Sequence, residues 1–164
     1  MDKGHLCKAK RTDNGKWVMG NYIEDTATGK VYIYASGNLV KQGDRDGADE
    51  FLQMTVCNVT PSTVCRCTNK EYMNGVIAYE GDIFESQCSG DLMILRYGTY
   101  QAYCPADEEY METVGFYAEC KGFPDMPIGD LQEYALKRGN IFDNPGLISY
   151  CCKQSEISVA ASQS

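Results

Sequence analysis

Apolar residues in this chain come in short alternating runs, and a glycine, a proline or an Asn–Gly pair cuts nearly every one. Turn signals at that spacing leave room for strands and very little for long helices. Residues 16–23 and 30–35 alternate on either side of the turn-forming Glu24–Gly29, which predicts a β-hairpin. Trp17, Met19 and Ile23 would share one face, and Val31, Ile33 and Ala35 the matching face of the partner strand. Further strands are expected over 51–59, 63–68 and 77–84, the last interrupted by Gly81-Asp82. Gly98-Thr99 predicts a second hairpin between 92–97 and 100–103. Residues 113–120 would follow as a strand with Val114, Phe116 and Ala118 on one face, and 140–144 as a last strand closed by Pro145. The best helical segment is Asp130–Lys137, with Asp130 as N-cap, Lys137-Arg138 at the negative end of its dipole and Gly139 as its stop. The pattern therefore predicts a mainly β protein, a β-barrel or a β-rich α+β fold with one short C-terminal helix.

Two stretches fall outside this scheme. Residues 36–50 are rich in glycine and charge and read as a loop. Their Asp44-x-Asp46-Gly47-x-Asp49 lacks the ligand spacing and distal Glu of a calcium loop. From residue 151 the chain is small and polar, which predicts a flexible tail.

The composition excludes several function classes. At 164 residues and 43% hydrophobic content the chain is long and apolar enough for a packed core. The strongly apolar stretch Leu92–Leu95 is far too short to cross a membrane. The opening Met1-Asp2-Lys3-Gly4-His5 has no apolar h-region, so a cytoplasmic protein is expected. His5 is the single histidine, which removes any intrachain site that needs two imidazoles. Nine cysteines are an odd number, and zinc-ribbon pairs are absent, since the closest approach is Cys65-x-Cys67. Reduced thiols that pack as small apolar residues are the expected state, with no metal and no cofactor.

Charge is uneven. The net charge is −8, yet residues 1–35 carry six basic and four acidic side chains, and residues 104–164 carry four basic and ten acidic ones. Asp107, Glu108, Glu109 and Glu112 dominate the acidic part. They read first as a solvated face and second as a docking surface for a basic partner. The twelve tyrosines exceed the needs of one small core and suit a subunit interface or groove.

A few residues invite a functional reading. In Tyr79-Glu80-Gly81-Asp82-Ile83 the two carboxylates could share a strand face and act as an acid–base pair. The rival reading is structural: Gly81 permits a kink, Asp82 accepts backbone N–H bonds, and Tyr79 and Ile83 pack inward. No His, Lys or Cys lies nearby in sequence to complete a reactive set, which favours the structural reading. Gly139–Pro145 has the same character, with Asn140 and Asn144 expected to cap backbone groups. Trp17, the only tryptophan, reads as a core or interface anchor before a ligand-stacking platform.

Three stretches then become recognisable together. The first is Lys10-Arg11-Thr12-Asp13-Asn14-Gly15-Lys16-Trp17-Val18-x-Gly20-x-Tyr22. The second is Pro61-Ser62-Thr63-Val64-x-Arg66-Cys67-Thr68, followed by Asn74-Gly75 and Tyr79-Glu80-Gly81-Asp82-Ile83. The third is Gly139-Asn140-Ile141-Phe142-Asp143-Asn144-Pro145-x-Leu147. In this order they resemble the YopX family of phage and prophage proteins, chiefly of Gram-positive bacteria. Arg66 and Cys67 stand where that family usually has Gln and Tyr, and Asn69-Lys70 where it has Gly-Leu. The resemblance implies a small SH3-type β-barrel over 61–150, an N-terminal β-hairpin extension over 1–60 with its loop at 36–50, and a tail over 151–164. It implies no catalytic residue.

Three functions are therefore weighed. The leading one is a non-catalytic, prophage-encoded accessory protein of the host cytoplasm that forms homo-oligomers or binds a host or phage protein. Nucleic-acid binding is a second, carried by Lys8, Lys10, Arg11 and Lys16, and the net charge argues against it. A small-molecule or enzymatic pocket around Glu80 and Asp82, with Asp143 or a Cys thiol, is the third. Trp17, Tyr79, Glu80, Asp82, Asp143 and Asn144 are the candidate binding residues.

Overall fold

The computed structural model describes residues 6–42 and 49–149. Met1–His5, the Asp44–Asp46 part of the expected loop and the expected tail, with Cys151 and Cys152, lie outside these residues. The chain is mainly β, built from antiparallel strands in two sheets, and the described strands close no barrel. It divides after Arg66 into two compact units, and the division falls within a strand.

In the first unit, β1 (Leu6–Lys10), β2 (Trp17–Asp25), β3 (Lys30–Gln42) and β4 (Asp49–Val59) pair in the order β4-β3-β2-β1, and the start of β5 (Cys65–Glu71) pairs with the other edge of β1. The β2–β3 hairpin turns where the sequence predicts. Asp25 accepts the Ala27 amide (3.0 Å) and the Thr28 hydroxyl (2.6 Å), and Gly29 closes the turn on the Asp25 carbonyl (2.7 Å). These bonds, Thr28 first, hold the Asp25 carboxyl below its usual range. The core is Ala9, Val31, Ile33, Cys57 and Val59. Val31 and Ile33 turn inward as expected, whereas Met19 and Ile23, expected to share a face with Trp17, are exposed.

Of the expected loop at 36–50, the described residues 36–42 and 49–50 are strand. After an irregularity between Ala35 and Asn38 the β3–β4 ladder resumes, with Leu39 opposite Leu52 and Gln42 opposite Asp49. Ladder bonds are made by the backbone, so a polar, glycine-bearing composition lowers strand propensity without preventing the extension of a hairpin that is already in register. Beyond β4, a 3-10 turn over Pro61–Thr63 explains the Pro-Ser-Thr motif. The Thr63 hydroxyl donates to the Thr60 carbonyl (2.7 Å) and accepts the Lys10 amide (2.9 Å).

In the second unit, β6 (Ile77–Tyr79) pairs with the end of β5. The remaining strands, β7 (Asp82–Ser86), β8 (Leu92–Cys104), β9 (Glu109–Glu119), β10 (Met126–Pro127) and β11 (Ala135–Asn140), form a sheet in the order β10-β9-β8-β7-β11. One face of that sheet carries Phe84, Met93, Leu95 and Ala118, which pack with Tyr72, Ile128 and Leu131. The other carries Ile83, Leu92 and Ile94, covered by Ile141, Leu147 and Ile148. Burial on both faces is why Leu92–Leu95 is continuously apolar instead of alternating.

Three expectations are corrected here. Gly98-Thr99 is no turn: β8 runs unbroken through it, Gly98 lying opposite Gly115, and the hairpin reverses at 105–108, where the acidic cluster begins. The helix is only α1 (Leu131–Tyr134), capped by Asp130 on the Gln132 amide (3.1 Å) as expected. Residues Ala135–Asn140 leave it to pair with β7, so Lys137 and Arg138 lie on a strand. That strand ends where 140–144 was expected to begin one, and Pro145 opens a helical stretch over 145–149 instead of ending a ladder.

Candidate functional site

Among the candidate residues, Asp82 has the most developed surroundings. It opens β7 with no exposed surface, and three groups converge on its carboxylate. Lys137 of β11 places Nζ 2.9 Å from Oδ1, the Tyr79 amide donates to Oδ2 at 2.9 Å, and the Tyr72 hydroxyl donates to Oδ2 at 3.4 Å. Burial, and then the Asp82 charge, push the Tyr72 hydroxyl far above its ordinary value, so it remains a donor. A carboxylate held in this way pins β6, β7 and β11 together. The sequence points to Asp82 and Tyr79; it does not point to Lys137, which reads there as a helix-terminal cation.

Gly81 makes the node. Its φ of +80° lets the chain reverse between Tyr79 and Asp82, its amide donates to the Leu95 carbonyl (2.7 Å), and its own carbonyl accepts the Ile141 amide (2.9 Å). A Cβ there would also touch Ile141 and Phe142 at 3.4 Å. Gly81→Ala is expected to cost about 1–2 kcal/mol, the left-handed penalty of an L-residue. Urea unfolding should show a lower midpoint at an unchanged slope. A midpoint equal to the parent's would mean that the turn does not need glycine.

Glu80 is half-buried at the same turn, whereas Asp82 is fully buried. Asp143 and Asn144 belong to the reversal after β11, around Asn140, which pairs with Asp82 across the β7–β11 ladder. The Asn140 side-chain oxygen accepts the Phe142 and Asp143 amides (both 2.9 Å), and its Nδ2 donates to Asp143 Oδ2 (2.8 Å). Asn144 Oδ1 in turn accepts the Asn140 amide (3.2 Å). Gly139 is required beside it, since a Cβ would run into the Asn144 side chain, with Cγ only 2.7 Å away. The Gly139–Pro145 motif is thus a chain reversal built on capping side chains.

In the first unit, Trp17 lies under two ammonium groups. Lys8 Nζ is 5.1 Å and Lys10 Nζ 5.4 Å from its ring centroid. Arg11 pairs with Asp13, Nε to Oδ1 at 2.9 Å. Three of the four cations that would form a phosphate-binding patch are therefore engaged within the unit. Cys65 and Cys67 are both buried on one face of β5. The Cys65 thiol donates to the Thr63 carbonyl (3.3 Å), and Cys67 Sγ accepts the Asn69 amide (3.5 Å).

Two clefts of the second unit are lined by none of the six candidate binding residues. One, of about 310 Å³, is lined by Leu92, Ile94, Cys120, Phe123 and Ile148 together with the charged Glu119, Lys121 and Asp125. Burial, and then Asp91, push the Cys120 thiol up, which makes it a poor nucleophile. The other, of about 370 Å³, is polar, and Gln132 and Glu71 join across it at 3.3 Å. No family model, no curated protein and no solved structure matches this chain.

Proposed function

We propose that this chain is a phage- or prophage-encoded accessory protein of the YopX type, which works in the host cytoplasm by binding protein, a second copy of itself or a host or phage partner, and not by catalysis. The three ordered motifs between residues 10 and 147 support the kinship. The state of Asp82 carries the functional half. The carboxylate that the sequence offers as catalytic is fully buried and bound by Lys137, Tyr79 and Tyr72, the role of a structural pin. Glu80, Asp143 and Asn144 likewise line neither of the two clefts. On this reading 61–150 derives from an SH3-type small barrel and 1–60 is its strand extension. Nucleic-acid binding ranks lower, because Lys8, Lys10 and Arg11 are turned onto Trp17 and Asp13.

Chemical crosslinking of the tagged full chain in the bacterial cytoplasm, followed by mass spectrometry and by sedimentation of the purified protein, tests this. The expected result is a defined oligomer or a reproducible partner, and no shift of DNA or RNA in a low-salt gel. A strictly monomeric protein that crosslinks to nothing, or one that retards nucleic acid, would overturn it.

A further inference from the structure

Past the core, β8 and β9 continue as a ribbon of two strands. Directly opposed residues of an antiparallel pair share a face, as do residues two apart. Tyr97–Phe116, Thr99–Val114, Gln101–Glu112 and Tyr103–Tyr110 therefore extend the face that Leu95 and Ala118 bury in the core. Within the core that face is covered. Along the ribbon it is open: Val114 is 65% exposed, Tyr110 56% and Tyr103 52%. The aromatic pairs at its two ends are preformed, with ring centroids 4.9 Å apart for Tyr97–Phe116 and 5.3 Å for Tyr103–Tyr110.

The edges are open as well. β7 pairs with β8 only as far as Ile94, and β10 meets β9 only at Tyr117 and Ala118. Among the described residues no third strand pairs with β9 between Glu109 and Phe116. A two-stranded ribbon with an exposed apolar face is marginal in water and gains from a third strand.

Charge selects the occupant. Residues 97–116 hold four acidic side chains, Asp107, Glu108, Glu109 and Glu112, and no Lys or Arg. A second copy docked on the same face would double that charge. The four rungs span about 20 Å along a ribbon roughly 10 Å wide, a face on the order of 200 Å², well short of the roughly 800 Å² per partner that a stable dimer buries. A short, cationic, extended segment fits both limits.

We propose that the edge of β9 at Glu109–Phe116 is a docking site for a Lys/Arg-rich extended segment of another protein, which adds as a third strand with apolar side chains beside Tyr110 and Val114 and a cation beside Glu112. This rests on the protein-binding reading above and names its surface and partner chemistry. The mode is strand addition, where backbone bonds supply affinity and alternate side chains supply selection.

The probe is a fluorescein-labelled heptapeptide, Lys-Val-Thr-Lys-Thr-Val-Lys, titrated into the full chain and followed by anisotropy. Controls are the same peptide with Glu for every Lys, and a scrambled one with its two valines adjacent. The chain should bind the first and not the controls. Glu112→Lys should weaken that binding by about tenfold and bring the Glu peptide into binding, a charge swap that a folding defect would not produce. Tyr110→Ser should weaken both, with circular dichroism unchanged. Equal binding of all three peptides, no binding of the first, or indifference to Glu112→Lys would overturn the site. If crosslinking still finds a partner in that case, protein binding stands and only its location is wrong.

Discussion

Asp82→Ala should lower the melting temperature by about 10 °C, the largest loss expected of any polar substitution in the second unit. Breaking a buried ion pair by removing one partner typically costs about 3–5 kcal/mol, and a chain of this size loses about 2–4 °C per kcal/mol. The cost is high because the carboxylate has no exposure and serves the Lys137 ammonium, the Tyr79 amide and the Tyr72 hydroxyl together. Asp82→Asn should lose less. It keeps the volume and an acceptor for the Tyr79 amide, and gives up the negative charge beside Lys137. Thermal unfolding followed by circular dichroism checks the order parent, Asn, Ala. An alanine variant that melts within two or three degrees of the parent would mean that Asp82 is not a structural pin, and the acid–base reading of Glu80 and Asp82 would regain its force.

Phe84→Ala should cost about 3–5 kcal/mol, the usual range for truncating a core aromatic. Phe84 is fully buried in β7, tilted against Tyr72 at 6.0 Å and edge-on to Tyr134 at 6.3 Å, with Leu95 and Leu131 in the same cluster. Truncation leaves a cavity that these rings cannot close without moving β7 and α1. It also reaches the two tyrosines: burial pushes the Tyr72 and Tyr134 hydroxyls above their ordinary range, and a loosened core would relax both toward it. Phe84→Leu should recover more than half of the loss. Denaturant unfolding of the three proteins decides this, and a loss below about 1 kcal/mol for alanine would show that the core is not organised around this ring.

Local chemistry is legible in the sequence alone. Asp25 folds its own turn, Asp130 caps its own helix, Asn140 bonds the amides two and three residues on, and Gly81 supplies a positive φ. Each involves groups a few residues apart, so residue type and spacing suffice. The same holds for Asp82 as an acceptor of the Tyr79 amide. Its ionic partner is not legible there. Lys137 in sequence belongs to an amphipathic stretch that begins with a good N-cap, and local propensity would carry the helix through it. Pairing of Leu136 and Lys137 with Glu85 and Phe84 overrides that preference, because ladder bonds and burial of Ala135 outweigh a few tenths of a kcal/mol per residue of helix propensity.

The ribbon teaches the same lesson from the other side. Gly98-Thr99 carries turn chemistry, yet the strand passes through because eleven consecutive cross-strand pairs from Ile94–Glu119 to Cys104–Glu109 fix the register. The reversal then falls at the acidic loop, which sets Glu112 between Tyr110 and Val114 on an open edge. Residue type and spacing alone establish that the chain is β-rich, where most of its turns and caps lie, and that Asp107–Glu112 form an acidic cluster. Which strands pair, that Lys137 meets Asp82, and that the apolar face of β8 and β9 outruns its core were decided only by tertiary structure. Turns and caps are short-range and nearly independent of context, whereas register and burial are settled by contacts between residues far apart in the chain.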